Sequence, residues 1–174
     1  IDADSAQIEA RVLAWLAEQD DLTEAFTNGE DVYKNMASKI YGVAESLVTK
    51  DQRFVGKTTI LGAGYGMGAQ KFQDQLKTFG FDMELHEARR VIKIYRETNH
   101  KINKLWRDAQ AFLKDGNSFG LYGVLFVEDG KILLPSGLYL RYDDLQFTTT
   151  DRGVEFDYKT RRGRVRIYGG KIIE

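Results

Sequence analysis

The stretch DQRFVGKTTILGAGYG at residues 51–66 gathers side chains able to meet phosphate, and its GKTT has the letters that close a P-loop. A P-loop requires GxxxxGK[ST] between a strand and a helix, because the first glycine lets backbone amides curl around phosphate. Gly56 and Lys57 fit, but Asp51 takes the first glycine's place, where its carboxylate would repel phosphate, and no apolar strand precedes it. A helix accommodates the same letters better. Counting by fours from Arg53 reaches Lys57, Leu61 and Tyr65. Residues at that spacing drift only about 40° around a helix of 3.6 residues per turn. They form one slanting stripe, roughly 18 Å long, of two cations, an aliphatic patch and a phenol. A triphosphate could lie against the cations while base and sugar meet the apolar part, each charge-assisted bond being worth about 1.5–3 kcal/mol. On spacing alone, a surface helix with solvated cations and a packed Leu61 reads equally well.

Three other groups could do chemistry. Asp4 ends a strand-like run and faces the start of a helix carrying Gln7, Glu9 and Arg11, yet Asp followed by Gln three residues on also imitates a capping box. HEARR at 86–90 begins like a zinc-protease HExxH but has Arg90 where the second imidazole belongs. His86 and His100, the only histidines, lie too far apart to share a metal and read as surface residues. YDD at 142–144 puts tandem carboxylates at a hairpin tip, where magnesium could bind, but Asp-Asp between YLRY and LQF is better read as an ordinary turn.

The elements that must position these groups change character along the chain. SAQIEARVLAWLAEQ repeats Ile8, Val12, Trp15 and Leu16 at helical spacing after a short strand at 1–4. DLTEAFTNGEDVYKNMASKIYG reads as two short helices parted by Asn28-Gly29, with Asp31 at the second start. A helix from Thr49 to Tyr65 is closed by the glycines at 62, 64 and 66. Residues 85–114 form the longest helical pattern, with Ile102, Leu105, Trp106, Ala109 and Phe112 on one stripe, ending at Gly116. From 117 onward, alternating segments such as GVLFVEDGKILLP, GLYLRYDDLQFTTT and VEFDYKT read as antiparallel strands, and Pro135 marks a strand boundary. The expected class is α+β.

With 174 residues and 43% hydrophobic content, the chain can bury a proper core. It has no cysteine, so disulfides and thiolate metal sites are excluded and a reducing compartment, the cytosol, is expected. No apolar run approaches the roughly 20 residues that span a bilayer, and IDADSAQ has no signal-peptide pattern. A formal net charge of −1 does not by itself advertise nucleic-acid binding. The chain opens on Ile1 and stops within IYGGKIIE, so a piece of a longer protein is expected.

Taken together, DSAQIEAR at 4–11 and RFVGKTTILGAGYG at 53–66 resemble motifs A and B of family A DNA polymerases, written DYSQIELR and RxxxKxxxFGxxYG. The intervening FTNGEDVYKNMASKIYG resembles the family's segment between them, and LPSGLYLRY and YGGKIIE have phage-polymerase character. The resemblance is close over 2–68 and loose through 85–114. It implies a partial palm at 1–30 with motif A, mostly helical fingers at 31–115 with motif B, and a β-rich fingers or palm segment at 116–174.

The resemblance further implies template-directed transfer of dNTPs to a primer 3′-hydroxyl, with primer-template DNA as partner and two Mg2+ ions as cofactors. Asp4 would bind the metals with the backbone carbonyl of Ser5. Glu9 would close the space needed by a ribose 2′-hydroxyl, and Gln7 belongs with the nucleotide-binding residues. Arg53 and Lys57 would hold the incoming phosphates, Lys57 also donating a proton to pyrophosphate, and Tyr65 would lie near the templating base. Leu61 departs from the family's aromatic residue, and Tyr33 stands where many members have a phosphate-contacting His. No second catalytic aspartate follows Thr160, and exonuclease and thumb regions are absent, so these residues alone are expected to be catalytically silent and to require the polymerase's remainder. A viral enzyme in a bacterial cytoplasm is expected. Two alternatives stand: a single-subunit RNA polymerase, disfavoured by Glu9, and a non-catalytic nucleic-acid binder using Arg161, Arg162, Arg164 and Arg166 with Tyr158 and Tyr168.

Overall fold

Thr49 and Gln52 open the central helix reciprocally. The Thr49 Oγ1 accepts from the Gln52 amide at 3.2 Å, and the Gln52 Oε1 accepts from the Thr49 amide at 3.0 Å. Two otherwise orphaned donors are thereby satisfied, and α4 begins at Lys50 and runs to Gly64. The structure, a computed structural model, describes residues 6–115, 120–121, 125–128, 131–134, 136–150 and 153–167. Within them the helices come first and the strands second, the α+β order expected from the sequence. The expected strand at 1–4, Gly116, Pro135 and the segment 168–174 lie outside the described residues. The chain divides into two compact units, Ile1–Asn103 and Lys104–Glu174.

In the first unit α1 (Ile8–Leu16), α2 (Asp20–Thr27) and α3 (Val32–Tyr41) precede α4. Asp31 starts α3 by accepting the Lys34 amide, and Gly42 ends it at φ 65°, a left-handed conformation that glycine adopts without strain. The tightest packing in the unit is α3 against α4. A Cβ at Gly56 would fall 2.2 Å from the Tyr33 carbonyl oxygen and 3.1 Å from the Ala37 amide nitrogen, so only glycine allows this approach. The glycine of GKTT is therefore a packing residue.

α1 turns its small face inward. Ala10, Ala14 and Ala17 are buried, whereas Ile8, Val12 and Trp15, the stripe that spacing marks as apolar, are exposed, Trp15 by 54%. Both faces of this helix are apolar, and α1 meets α4 through Leu13, whose Cδ2 would lie 3.4 Å from a Cβ at Gly64. A 3-10 turn at Glu45–Leu47 and α5 (Ala69–Thr78) are further elements that the sequence reading does not contain. α5 buries only Phe72 and Leu76, too few apolar positions for a periodic signal.

The single helix expected over 85–114 is two, α6 (Leu85–Thr98) and α7 (His100–Asp115). Asn99 breaks it at φ −105°, ψ 54°, and its buried side chain donates to the Tyr95 carbonyl at 3.1 Å. The new start of α7 is satisfied from a distance, because the buried Gln19 Oε1 accepts the Lys101 amide at 3.0 Å. Ala88, Val91, Ile92 and Tyr95 form the buried stripe of α6.

The second unit carries two antiparallel sheets, ordered β1-β2-β3-β4 and β5-β6-β7. The first comprises Gly120–Leu121, Leu125–Glu128, Lys131–Leu133 and Tyr139–Arg141. The second comprises Gln146–Thr150, Gly153–Thr160 and Gly163–Ile167. Phe156 is buried against Phe147, edge to face at 5.0 Å, and Tyr142 meets Tyr158 in the same manner at 5.2 Å.

Candidate functional site

The capping box fixes the phase of α4, and with it which residues face outward. Lys57 and Tyr65 are exposed, Arg53 and Leu61 half-buried, while Val55, Thr59, Ile60 and Ala63 fill the core side. The predicted stripe is thus an accessible face. Tyr65 sits just past the last helical residue, 51% exposed, before the chain turns at Gly66. Lys57 carries no hydrogen bond or ion pair among the described residues.

Thr58 and Thr59 play no part in that face. Their hydroxyls donate to the carbonyls of Phe54 at 3.0 Å and Val55 at 2.8 Å, inside the helix, and both residues are buried. With Gly56 committed to packing, only the lysine of GKTT is presented to a ligand. This removes the P-loop reading on geometric grounds.

Arg53 is held from two sides. Its Nε donates to the Asp31 Oδ2 at 2.7 Å, and its guanidinium carbon lies 5.3 Å from the centre of the Tyr33 ring. Asp31 divides its oxygens, Oδ1 taking the Lys34 amide at 3.2 Å and Oδ2 the arginine. Burial acts to raise the Asp31 carboxyl, but the hydrogen bonds and charge of Arg53 and the Lys34 amide outweigh it and hold the group below its ordinary value. Tyr33 is 6% exposed; burial raises its phenol, against the opposing effects of a side-chain hydrogen bond with Gln7 and the Arg53 charge. The Glu9 carboxylate also acts on this phenol.

The structure therefore brings Gln7, Glu9, Tyr33 and Arg53 into one cluster, with Lys57, Leu61 and Tyr65 continuing along α4. Gln7 precedes α1 at φ 61°, a left-handed conformation costing a non-glycine residue about 1–3 kcal/mol. Asp4 and Ser5, the expected metal ligands, lie outside the described residues. Among the described residues no group of three or more His, Cys, Asp or Glu could hold a metal. Asp31 is the neighbour of Arg53 that sequence reasoning saw only as a helix start: 22 residues separate the two, and no local pattern couples them.

The remaining chemistry-bearing motifs are structurally occupied or peripheral. Asp144 sits in a turn at φ 51°, its Oδ2 accepting from the Arg164 Nη1 at 2.5 Å and its carbonyl from Nη2 at 2.8 Å. The Arg164 Nε also bonds Asp157, and hydrogen bonding by Arg164 lowers the Asp144 carboxyl below its ordinary value. YDD is a clasped turn. The same clasp takes Arg164 out of the arginine row considered as a nucleic-acid face, Tyr158 packs on Tyr142, and Tyr168 lies outside the described residues. His86 and His100 are exposed, as expected. No helix among the described residues is long and apolar enough to cross a membrane.

Comparison with known proteins bears on the same segments. The profile of DNA polymerase family A matches residues 1–119, which include the whole Gln7–Glu9–Tyr33–Arg53 cluster and α4. The chain is 30% identical to the DNA polymerase of Bacillus phage SP02 over an alignment of 195 residues, covering 99% of this chain and 29% of the phage protein. It is 32% identical to DNA polymerase I of Helicobacter pylori over 141 residues, covering 79% of this chain and 15% of that enzyme. Its fold is similar to that of the POL domain of Pol1 from M. smegmatis, solved in complex with DNA primer-template and dNTP. That likeness has a TM-score of 0.61 at 26% identity, covering 80% of this chain and 21% of the other. The chain thus spans less than a third of the length of each of these proteins. The match decides between the two polymerase families that the motifs admit: the chain belongs to DNA polymerase family A.

Proposed function

We propose that the complete protein carries out template-directed DNA synthesis, and that the outer face of α4 receives the incoming dNTP. The observation that supports this most directly is the pairing of an unpartnered Lys57 with an Arg53 whose Nη1 and Nη2 are unused among the described residues, one helical turn apart on an open face. Family membership and the primer-template and dNTP in the M. smegmatis structure agree with it.

Phosphoryl transfer asks the protein mainly for positioning and for charge where the leaving group develops negative charge. In this reading Arg53 and Lys57 orient the triphosphate, and Lys57 passes a proton to the departing pyrophosphate. Leu61 takes the sugar and base, and Tyr65 lies beside the templating position. Tyr33 and Gln7 form the floor beneath Arg53. Polymerases of this family are generally metal-dependent; Asp4 and the Ser5 carbonyl are assigned to Mg2+, which when bound lowers the cost of activating the primer hydroxyl and of expelling pyrophosphate. Those two residues lie outside the described ones. The second metal-binding carboxylate and the thumb are assigned to other parts of the complete protein, acting in a bacterial cytoplasm.

Primer extension by the complete protein with dNTPs or rNTPs tests the reading. The wild type is expected to extend with dNTPs and to reject rNTPs, and Glu9→Ala to raise ribonucleotide incorporation by about ten- to thirtyfold, since rejection rests on that side chain's bulk. Equal use of both nucleotide classes by the wild type would overturn the assignment.

Leu61→Phe restores a ring where the family carries one. The aliphatic side chain is half-buried on the outer face of α4. Dideoxynucleotide selection or the incorporation rate is expected to change by a few-fold, about 1 kcal/mol of altered contact with the sugar; unchanged values for both in single-turnover assays would refute a nucleotide contact at Leu61.

A further inference from the structure

We infer that Asp31 is the positioning residue of Arg53, gripping its Nε edge so that the Nη edge is presented, already oriented, to the triphosphate. This rests on the reading of α4 as the nucleotide-binding face. A free arginine carries about 2 kcal/mol of rotamer entropy, which a ligand must otherwise overcome each time it binds. Here that freedom is removed beforehand by three connected restraints. The Asp31 Oδ2 takes Nε at 2.7 Å, the Tyr33 ring lies 5.3 Å from the guanidinium carbon, and Asp31 is itself immobilised because its Oδ1 caps α3 through the Lys34 amide.

The edge that is gripped decides between positioning and competition. A carboxylate on the Nη edge would have to be displaced before phosphate could bind. A carboxylate on Nε leaves both Nη groups for a bidentate contact, so the same guanidinium serves both partners. Arg53 makes no Nη hydrogen bond among the described residues. Asp31 never meets the nucleotide; it acts through Arg53.

The test separates this role from plain helix capping. Asn and Ser cap helices about as well as Asp, so Asp31→Asn and Asp31→Ser keep the start of α3 while removing the charged grip. In the complete protein both variants are expected to melt within a few degrees of wild type, to raise the KM for dNTP by about three- to tenfold and to leave kcat within about twofold, because ground-state orientation is lost. In an Arg53→Ala background neither should raise KM further. An unchanged KM in both variants, with Arg53→Ala impaired, would reduce Asp31 to a cap. A lowered KM would make it a competing counter-ion, and a further rise in the Arg53→Ala background would show that it acts by another route; each result overturns the inference. If Arg53→Ala itself leaves KM unchanged, the nucleotide-binding reading of α4 fails instead.

Discussion

Lys57→Ala is expected to lower kcat/KM for dNTP incorporation by about 10²–10³-fold in the complete protein, the largest effect of any single change on the α4 face. The magnitude follows from removing one donor aimed at developing charge, which costs about 2.7–4 kcal/mol where the site excludes water. Lys57 has nothing else to do: it is exposed, it makes no bond among the described residues, and its helix is held by the Thr49–Gln52 box and the α3 contact. Loss of activity should therefore come without loss of stability. Single-turnover incorporation alongside thermal melting checks both halves; a fall of less than threefold would remove Lys57 from the transition state. If both residues hold one triphosphate, as proposed, Arg53→Ala and Lys57→Ala are not expected to add.

Gly56→Ala should do the reverse, damaging stability first. In an exposed helix the change would gain about 1 kcal/mol of propensity. At this position the new Cβ would lie 2.2 Å from a backbone oxygen, which no rotamer change relieves. α3 and α4 must separate by something like an ångström, and a gap of that size forfeits a quarter to a half of each van der Waals contact along the interface. A net loss of about 2–3 kcal/mol is expected. Urea or thermal denaturation, with amide exchange in α3 and α4 as the local readout, would show it; an unchanged midpoint would mean that the two helices have room to spare. Reduced dNTP affinity should follow, since the same displacement draws Asp31 and Tyr33 away from Arg53.

These two expectations show which parts of the molecule were legible in the amino-acid sequence. The α4 stripe was, because capping signal, glycine stop and fourfold spacing all agree locally. The polymerase motifs were, because their letters are contiguous. The purpose of Gly56 was not: spacing shows a small residue, but whether the room is for ligand or for another helix depends on Tyr33, 23 positions earlier in the chain. The Asp31–Arg53 pair was hidden for the same reason. The α1 stripe failed differently. Hydrophobicity marked Ile8, Val12 and Trp15 for burial, yet Ala10, Ala14 and Ala17 are the buried positions, because a helix apolar on both sides gives spacing no way to choose between them. The break at Asn99 carries no proline or glycine to announce it, and depends on Gln19 supplying the hydrogen bond that starts α7.

The missing Cβ at Gly56 also has a mechanical meaning. Two helices in backbone contact cannot slide or roll past each other without a collision, so α3 and α4 behave as a single plate. Any swing of α4 sweeps Asp31 and Tyr33 through the same arc, and the grip on Arg53 travels with it. The pivot of such a motion must then lie in the segments flanking this pair rather than between its members.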